Sequence, residues 1–420
     1  MPAALLVPST ISHPRADAAS IPLEAVTFAV LDVRTTGLVA ETDRVVELAV
    51  TRVRADGTVE DEFATLIDPG CPPGPAFLHH ITDELLSSAP PFAAVAGDVV
   101  ARLAGCVAVA HTTAVESAFL RAEFDRAGIA LPSVPSLDTL HLARTHLPTD
   151  NHRLRTCCDR LGIALPRGRS ALDRARATGR LVVQLARIAA ADLAPAHVVS
   201  PVPLPALPVL PTGTRTTRRP TDLGAILGGT GSAWTRPLLT RVPESAFADP
   251  ATPAGRYLEA LADGVEDGDL TGEQAIRMAD LAVRAGISRP EIAALNELFL
   301  NGLHAAASQD RRPAAEELEL LATVAAALGR PVESPAPSRK AASRPRTATT
   351  HQVLLLAAGR EAEALRAAIE DNGSSHTTAL APGVSLVAVD ADHVEDPQVT
   401  RALIAGIPVF PVAALWEQFG

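Results

Sequence analysis

The chain is poor in lysine, in aromatic side chains and in long apolar runs. Lys340 is the only lysine among the 420 residues, so nearly all positive charge is arginine, and aromatic residues make up 3%. The net charge of −11 excludes a general electrostatic attraction to nucleic acid, so any such binding requires a local basic patch. No run approaches the roughly 18 apolar residues of a membrane span. The apolar stretch at 3–7 is too short for a signal peptide, and we expect a cytoplasmic protein.

Cysteine is also scarce, and its spacing is not that of a metal or redox motif. The four cysteines are Cys71, Cys106 and the adjacent pair Cys157 and Cys158. Because neither CxxC nor zinc-ligand spacing occurs, we expect reduced structural thiols.

Composition and periodicity predict a multidomain chain, with two to four folded domains at this length. The segments are a disordered tail at 1–24, an α/β domain at 25–192, a Pro/Arg-rich semi-rigid linker at 193–250, an all-helical domain at 251–330, a basic linker at 331–349 and a small α/β domain at 350–420. In the first domain, strands are predicted at 26–32, 44–53, 62–67 and 106–111, and helices at 92–103, 115–127, 137–145, 154–161 and 171–190. The turn at 55–57 predicts a hairpin.

The stretch Phe28–Leu38 is the centre of the first domain. An apolar run ends in Asp32 and then breaks at the turn 35–37, which predicts a buried strand that carries a carboxylate near its C-terminal end. Ligands collect at such strand ends in α/β sheets, so Asp32 is a candidate site residue. A second acid two residues later would point to the same face and complete a metal-binding pair. The sequence has Arg34 there instead.

Five stretches carry a resemblance to a known family. Leu31–Leu38 matches the family motif D-x-E-T-T-G-L, Asp43–Ala49 matches D-R-I-x-E-I-A, and His79–Thr82 matches H-G-I-T. Val109–Leu120 matches V-A-H-N-A-x-F-D-x-x-F-L, and Arg169–Thr178 matches H-x-A-L-x-D-A-x-A-T. With these motifs in the same order, residues 25–190 resemble the DEDDh-type 3′–5′ exonucleases, the family of the proofreading epsilon subunit of bacterial DNA polymerase III. The resemblance implies an RNase H-like fold.

The resemblance also implies a catalytic set that this chain does not retain. In the family, four carboxylates hold two divalent ions and a histidine activates the attacking water. The five positions, in the order first acid, second acid, third acid, histidine and fourth acid, are Asp32, Arg34, Glu116, Arg169 and Arg174. Asp173 neighbours the last position but is turned by about 100° on its helix, to another face.

The size of the electrostatic change predicts an inactive site. At 4 Å and an effective dielectric of 20, a unit charge pair is worth about 4 kcal/mol, so a carboxylate and a divalent ion gain about 8 kcal/mol. Replacing one carboxylate by a guanidinium therefore changes metal affinity by about 16 kcal/mol before solvation reduces it. A millimolar metal site rests on about 4 kcal/mol. Arginine also cannot act as a base at neutral pH.

Three roles remain open for the arginines. They pair internally with Asp32, Glu116 and Asp173, or they form a metal-free anion pocket, or activity survives at a site rebuilt from those three acids. In the second case the nucleic-acid-binding residues are Thr35, Thr36, Gly37, Arg34, Arg169 and Arg174. Mg²⁺ or Mn²⁺ is expected only in the third case, and no other cofactor is expected. His79, His80 and His111 are predicted to make structural hydrogen bonds.

The helical domain contains an acidic turn between two helices. The stretch Asp267–Glu273 resembles the D-G-x-L-T-x-x-E motif of TerB-like (tellurite-resistance-associated) modules, and a degraded copy begins at Asp310. The candidate cation ligands are Asp263, Glu266, Asp267, Asp269 and Glu273. The alternative is a solvated turn that caps a helix, because Thr271 and Gln274 have capping-box spacing.

The last domain alternates strand and helix, and it resembles a BRCT module. The resemblance rests on a first strand at 352–357, a turn at 371–373, the stretch Ala402–Val409 and Trp416. The Ser or Thr that binds phosphate in the family is Ala358 here, and Arg401 stands where a lysine is usual. We therefore expect association with proteins or DNA ends without phosphate recognition.

Three functions follow. The first is a non-catalytic nucleic-acid-associated scaffold in DNA repair, replication or stress response, which binds single-stranded nucleic acid or DNA ends, with protein partners on the last two domains and no membrane contact. The second is an active metal-dependent 3′–5′ exonuclease. The third is a protein-interaction hub without nucleic-acid binding.

Overall fold

A computed structural model describes most of the chain and divides it into two compact units, 1–334 and 335–420. The described residues are 4–166, 170–191, 193–200, 203–219, 235–266, 268, 270–309, 315–329, 352–357, 360–371, 374–381, 383–390, 396–404, 407 and 409–411. No helix in these ranges is long and apolar enough to cross a membrane. The four cysteines are free, and all but Cys71 are buried.

The first unit begins with an α/β part. Its strands are β1 (Leu6–Pro8), β2 (Thr10–Ser12), β3 (Ala19–Pro22), β4 (Thr27–Thr35), β5 (Val45–Arg54), β6 (Val59–Leu66), β7 (Val107–Ala110), β8 (Val134–Asp138) and β9 (His197–Ser200). Its helices are α1 (Ala76–His79), α2 (Asp83–Leu86), α3 (Phe92–Leu103), α4 (Thr113–Arg126), α5 (Thr139–His146), α6 (Leu154–Arg160) and α7 (Ala171–Ala190). The predicted strands and helices are present; β8 was not predicted, because its C-terminal residues were assigned to the following helix.

One six-stranded sheet organises this part, in the order β1-β8-β7-β4-β5-β6. Strands β4, β5 and β6 are antiparallel, and the predicted hairpin joins β5 and β6 through Gly57 at φ 99°. Strand β4 is buried on both faces: Phe28 and Val30 pack with α7, while Ala29 and Leu31 pack with α3 and α4. Burial on both faces explains why its sequence is a continuous apolar run.

The N-terminal segment is ordered, so the expectation of a disordered tail at 1–24 is wrong for residues 4–22. Strand β1 pairs in parallel with β8, and β2 and β3 pair with β9 in a three-stranded sheet. Leu5 and Leu6 are buried, because they cover the edge of the main sheet. Pro and Ser residues surround these leucines, and their abundance led to the expectation of disorder for the whole segment.

Residues 203–219, called the strap below, lie on the α/β part and do not form the free spacer that was expected at 193–250. Leu207 and Leu210 pack against its core. The backbone amides of Gly213 and Thr214 donate to the Asp98 carboxylate at 3.0 and 3.2 Å. The Leu66 amide donates to the Thr217 carbonyl at 2.7 Å.

Because the strap packs against Gly97 of α3, we expect the Gly97→Ala substitution to destabilise the protein. A methyl group there would overlap the carbonyl oxygen of Pro211, so Gly97→Ala must displace the strap. We expect it to lower the free energy of unfolding by about 1–3 kcal/mol, although alanine is the better helix former. The matched control is Gly179→Ala, whose methyl group meets Val30 and Val53 at an ordinary 3.6 Å. Urea unfolding should show that the control is stabilised by about 0.5–1 kcal/mol, and equal behaviour of both variants would contradict the prediction.

A helical part completes the first unit. Its helices are α8 (Thr235–Thr240), α9 (Pro253–Glu266), α10 (Gly272–Arg284), α11 (Arg289–Ala307) and α12 (Ala315–Ala327). Thr271 and Gln274 form the predicted capping box at the start of α10. Leu238, Leu239 and Val242 are buried in the helical core, so this part begins near residue 235 and not at 251 as predicted.

Unit 335–420 contains β10 (Gln352–Leu356), α13 (Arg360–Asp371), β11 (Ser375–Thr377), β12 (Val384–Val389), α14 (Pro397–Ile404) and β13 (Val409–Pro411). The predicted alternation of strand and helix is confirmed, with β11 as an additional strand. The strands are parallel, in the order β11-β10-β12-β13. Ala358 and Trp416, on which the resemblance of this domain partly rests, lie outside the described residues.

Candidate active site

Three elements of the α/β part bring the predicted site residues together. Strand β4 carries Asp32 and Arg34 near its C-terminal end, the first turn of α4 carries Glu116, and the first turn of α7 carries Arg174. These four residues, called the cleft below, line a cavity of about 240 Å³. Asp32 and Glu116 are only 6% and 8% exposed. Arg169, the fifth predicted position, lies outside the described residues.

The Asp32 carboxylate lies between two guanidinium groups. Arg174 Nε donates to Asp32 Oδ1 at 3.0 Å, and Arg34 Nε lies 3.8 Å from Asp32 Oδ2. Burial opposes the charge of Arg174, but Asp32 and Asp263 outweigh it and raise the pKa of Arg174. The first acid of the cleft is therefore neutralised by side chains of the protein itself.

Arg34 is less well compensated. Burial lowers its pKa, Asp32 opposes that effect, and the neighbouring charge of Arg174 adds to it. Its cross-strand neighbour on β5 is Glu47, a buried acid that also accepts from Arg219 of the strap at 3.1 Å. Arg34 Nε has no hydrogen-bond partner among the described residues.

Glu116 is a neutral acid at pH 7. Burial, with a further contribution from Asp32, raises the pKa of Glu116 to about 8. Its Oε2 atom has no hydrogen-bond partner within the described ranges. A paired Asp32 and a protonated Glu116 do not fit the donor set of a two-metal site. In the part of the chain that the structure describes, no group of three His, Cys, Asp or Glu side chains could hold a metal ion.

Glu116 predicts a pH-dependent stability. Its folded pKa is raised above the unfolded value, so its contribution is present below pH 4.5 and is lost as the pH rises through about 8. The loss has an upper bound of about 5 kcal/mol. Glu116→Gln should therefore gain stability over the unchanged protein progressively between pH 5 and pH 9. Urea unfolding across this range measures the difference, and a constant difference between the two proteins would contradict the raised pKa.

Asp173 does not line the cavity. Its carboxylate lies 3.6 Å from Arg176 on the same helix, which agrees with the predicted turn of about 100° away from Arg174. Among the described residues, Asp173 therefore pairs with neither Arg34 nor Arg174, and it does not join Asp32 and Glu116 at the cavity.

The turn after β4 is held by its own contacts. Thr35 Oγ1 donates to the Gly37 carbonyl at 2.7 Å, and the Arg44 amide donates to Thr36 Oγ1 at 3.0 Å. A methyl group on Gly37 would overlap the Asp43 carboxylate, so alanine here must displace that side chain. Thr35 and Gly37 line the cavity, whereas the Thr36 side chain is buried in the turn and is not available to a ligand.

His79 and His111 make structural hydrogen bonds, and His80 ends α1 with φ 55°. His111 contacts Thr139 Oγ1 and the His152 carbonyl, both at 2.9 Å. His79 Nε2 lies 3.2 Å from the Pro73 carbonyl, and its Nδ1 accepts from the Ile81 amide at 3.1 Å. Burial lowers the pKa of each to about 3, with nearby arginines adding to the effect. Both imidazoles are therefore neutral at pH 7.

Helix α9 covers the cleft, which sequence reasoning missed. At one rim, Arg256 of α9 donates to the Leu38 and Ala251 carbonyls, and Leu38 packs in the helical core. Residues of α9 and of the cleft line the same cavity. The helical part of the first unit therefore covers the cleft.

Buried Arg153, which also lines the cavity, faces three acids of α9. Its guanidinium lies 3.0 Å from Glu259, 2.5 Å from Asp263 and 3.9 Å from Glu266, and Arg155 also pairs with Glu266. The acids are spaced by four and three residues, which places them on one helix face. That spacing was the available sequence signal for this contact.

The predicted cation ligands of the helical part are engaged by arginines where they are described. Asp263 pairs with Arg153, and the exposed Glu273 pairs with Arg277 at 2.6 Å. Asp267 and Asp269 lie outside the described residues.

Comparison with known proteins gives relatives for about 40% of the chain. The chain is 35% identical over 172 residues to the DNA polymerase III PolC-type of Halalkalibacterium halodurans and 37% identical over 171 residues to that of Oceanobacillus iheyensis. These matches cover 40% and 38% of this chain but 12% and 11% of the relatives, so the chain spans a small part of their length. No family model matches the chain.

Solved structures show a partial likeness. A crystal structure of E. coli Exonuclease I in complex with a dT13 oligonucleotide has a TM-score of 0.36 and 17% identity, covering 40% of this chain and 42% of that chain. A full-length 3′-exonuclease has a TM-score of 0.34 and 16% identity, covering 38% and 60%. At these TM-scores, neither a fold nor a residue role is transferred from them to this chain.

Proposed function

We propose that this chain is an exonuclease-fold, nucleic-acid-associated protein that does not hydrolyse nucleic acid and acts as a scaffold in DNA replication, repair or stress response. The observation that carries the proposal is the position of Asp32 between Arg174 and Arg34. The sequence relationship to replicative DNA polymerases supports the nucleic-acid context.

Loss of hydrolysis follows from charge. Asp32, Arg34 and Arg174 sum to +1, and Glu116 adds no charge while it is protonated. A divalent cation would approach a net positive cleft and would first have to displace Arg174 from Asp32 and remove the Glu116 proton. Each step opposes binding, so the residues present do not assemble a metal-dependent nuclease.

A nuclease assay tests this part of the proposal. Full-length protein is incubated with labelled single-stranded DNA and Mg²⁺ or Mn²⁺ beside its Asp32→Ala variant. We expect no metal-dependent release of nucleotides from either protein. Activity in the unchanged protein that disappears in an Asp32→Ala variant shown to be folded by circular dichroism would reveal a functional metal site and overturn the proposal.

Nucleic-acid contact is assigned to the basic linker, because α9 covers the cleft. The linker at 331–349, which lies outside the described residues, carries Arg339, Lys340, Arg344 and Arg346. Such a cluster can neutralise backbone phosphates in a chain whose overall charge is negative. The contact would be independent of sequence.

Salt-titrated binding of single-stranded DNA tests this assignment. Replacing the four basic linker residues by Gln should reduce the slope of log K against log salt by about 3. The matched control replaces four exposed arginines of the first unit: Arg15, Arg160, Arg277 and Arg284. An unchanged slope would contradict the linker assignment, and absence of binding at low salt would favour the protein-interaction hub.

Protein partners are proposed for the TerB-like helical part and for the BRCT-like unit at 350–420. The parallel sheet order β11-β10-β12-β13 supports a compact α/β module there. Ala358 lacks a hydroxyl, so we expect partners to bind equally with and without phosphorylation. Pull-downs with phosphatase-treated and untreated extracts compare the two cases, and capture that requires phosphate would contradict this expectation.

A further inference from the structure

Four buried polar atoms line the covered cavity without a hydrogen-bond partner in the described part of the chain. They are Asp32 Oδ2, Arg34 Nε, Glu116 Oε2 and Arg256 Nε. Buried polar groups are nearly always satisfied in folded proteins, so a cluster of four calls for a physical explanation. The atoms belong to β4, α4 and α9, and they come together only when α9 covers the cleft.

The local charge is positive. Arg34, Arg174 and Arg256 lie around Asp32, and further acids act on them: Glu47 and Asp263 on Arg34, and Glu41 and Asp43 on Arg256. Arg153 and Arg155 carry two positive charges against the three negative charges of the α9 acids, which reduces the excess. The charged residues that line the cavity still sum to +1, with six arginines against five acids besides the protonated Glu116. Burial lowers the pKa of both Arg34 and Arg256, as expected for cations without enough counter-charge. An anion bound in the cavity would supply the missing negative charge.

The unsatisfied atoms define the chemistry of that anion. Arg34, Arg256 and protonated Glu116 can donate to acceptor oxygens, whereas Asp32 Oδ2 requires a donor. Hydrogen phosphate and the monoanion of a phosphate monoester offer acceptor oxygens together with one hydroxyl. The cavity of about 240 Å³ lies below the roughly 300–1,000 Å³ of pockets for drug-sized ligands, so the occupant is small.

We infer that the covered cavity is a metal-free binding site for a small phosphate-class oxyanion, held by Arg34, Arg256, Glu116 and Asp32. The inference rests on the proposed loss of the metal site, because divalent ions would compete with the two arginines for Asp32. Arg256 comes from the helical part, so the site is complete only in the whole first unit.

The anion site should weaken at high pH. Glu116 faces Asp32 of β4, Arg174 of α7, Asp138 at the end of β8 and Arg256 of α9. Ionisation of Glu116 above about pH 8 removes a donor and places a negative charge beside Arg256. Affinity should therefore fall between pH 7.5 and pH 9.

Calorimetric titration of the full-length protein with inorganic phosphate, in EDTA at pH 7, tests the inference. We expect saturable binding that is about 10- to 100-fold weaker in Arg34→Gln and in Arg256→Gln, because each loses a charge-assisted hydrogen bond. Sulfate, which lacks the hydroxyl that Asp32 requires, should bind at least about tenfold weaker. Glu116→Gln keeps a donor, so it should retain affinity at pH 7 and lose the decline toward pH 9.

The matched control is Arg277→Gln, an exposed arginine outside the cavity, which should bind phosphate unchanged. No saturable binding of phosphate, or equal binding by Arg34→Gln and Arg256→Gln, would overturn the inference. If Arg34→Gln fails to fold by circular dichroism, Arg256→Gln and the sulfate comparison decide the result. Failure here with an inactive nuclease assay would refute the anion site alone, whereas nuclease activity would refute the proposed function.

Discussion

Arg153→Ala should lower the free energy of unfolding by about 3–5 kcal/mol, among the largest effects of any single substitution in this chain. Arg153 is 5% exposed and is the shared partner of Glu259, Asp263 and Glu266. Removing it leaves the partly buried Glu259 and Asp263 without their main counter-charge, while the buried Glu266 keeps only Arg155. Burial already raises the pKa of Glu259, with Arg153 opposing that effect, so the loss should be larger at pH 7 than at pH 5.

Urea unfolding at both pH values measures this effect. The control is Arg277→Ala, whose pair with Glu273 is more than half exposed on both sides and should be worth about 0–1 kcal/mol. A loss under about 1 kcal/mol in Arg153→Ala would show that the acids of α9 are solvated and that the helical part packs more loosely on the cleft.

Asp32→Ala should also destabilise the protein, by about 3–5 kcal/mol, because it removes the carboxylate that the partly buried Arg34 and Arg174 share. The sign of this stability change distinguishes the cleft from a metal site. Where several carboxylates are gathered to hold metals, they repel one another without the ion, and removing one relieves that repulsion. Here the same change should increase repulsion, between two arginines.

Thermal and urea unfolding in EDTA test whether Asp32→Ala lowers or raises the stability of the protein. Asp173→Ala is the matched control, since this acid is partly exposed and pairs only with Arg176 on its own helix, at 3.6 Å, among the ion pairs of the described residues. Its loss should stay within about 1 kcal/mol. Stabilisation by Asp32→Ala would mean that Arg34 and Arg174 do not compensate Asp32 in solution.

Much of the α/β part could be predicted because its signals are local. The apolar run of β4, the turn at 55–57 and the periodicity of α3 and α7 each reside in one short stretch. The capping box at Thr271 and Gln274 was equally visible. The replacement of family acids by arginine was also evident, and the prediction that Asp173 faces away from the cleft needed only helix geometry.

The errors concern segments whose partners are distant in sequence. The N-terminal residues 4–22 and the strap 203–219 have apolar residues interrupted by Pro, Ser or Thr, and their order depends on surfaces more than a hundred residues away. Composition indicates how much apolar surface a segment has. It does not indicate whether a distant segment provides a sheet edge for it to pair with, or a carboxylate for it to bind. Both were therefore assigned to flexible chain.

By itself, the sequence determined the α/β and helical classes and the exchange of a metal-binding acid pair for Asp32 and Arg34. Only the tertiary structure decided what the arginines do: Arg174 and Arg34 share Asp32, Glu116 becomes a neutral acid, and α9 covers all four. The reason is physical. A charge is specified by residue type, but its pKa and its partner depend on burial and on distances of a few ångströms between elements far apart in the chain.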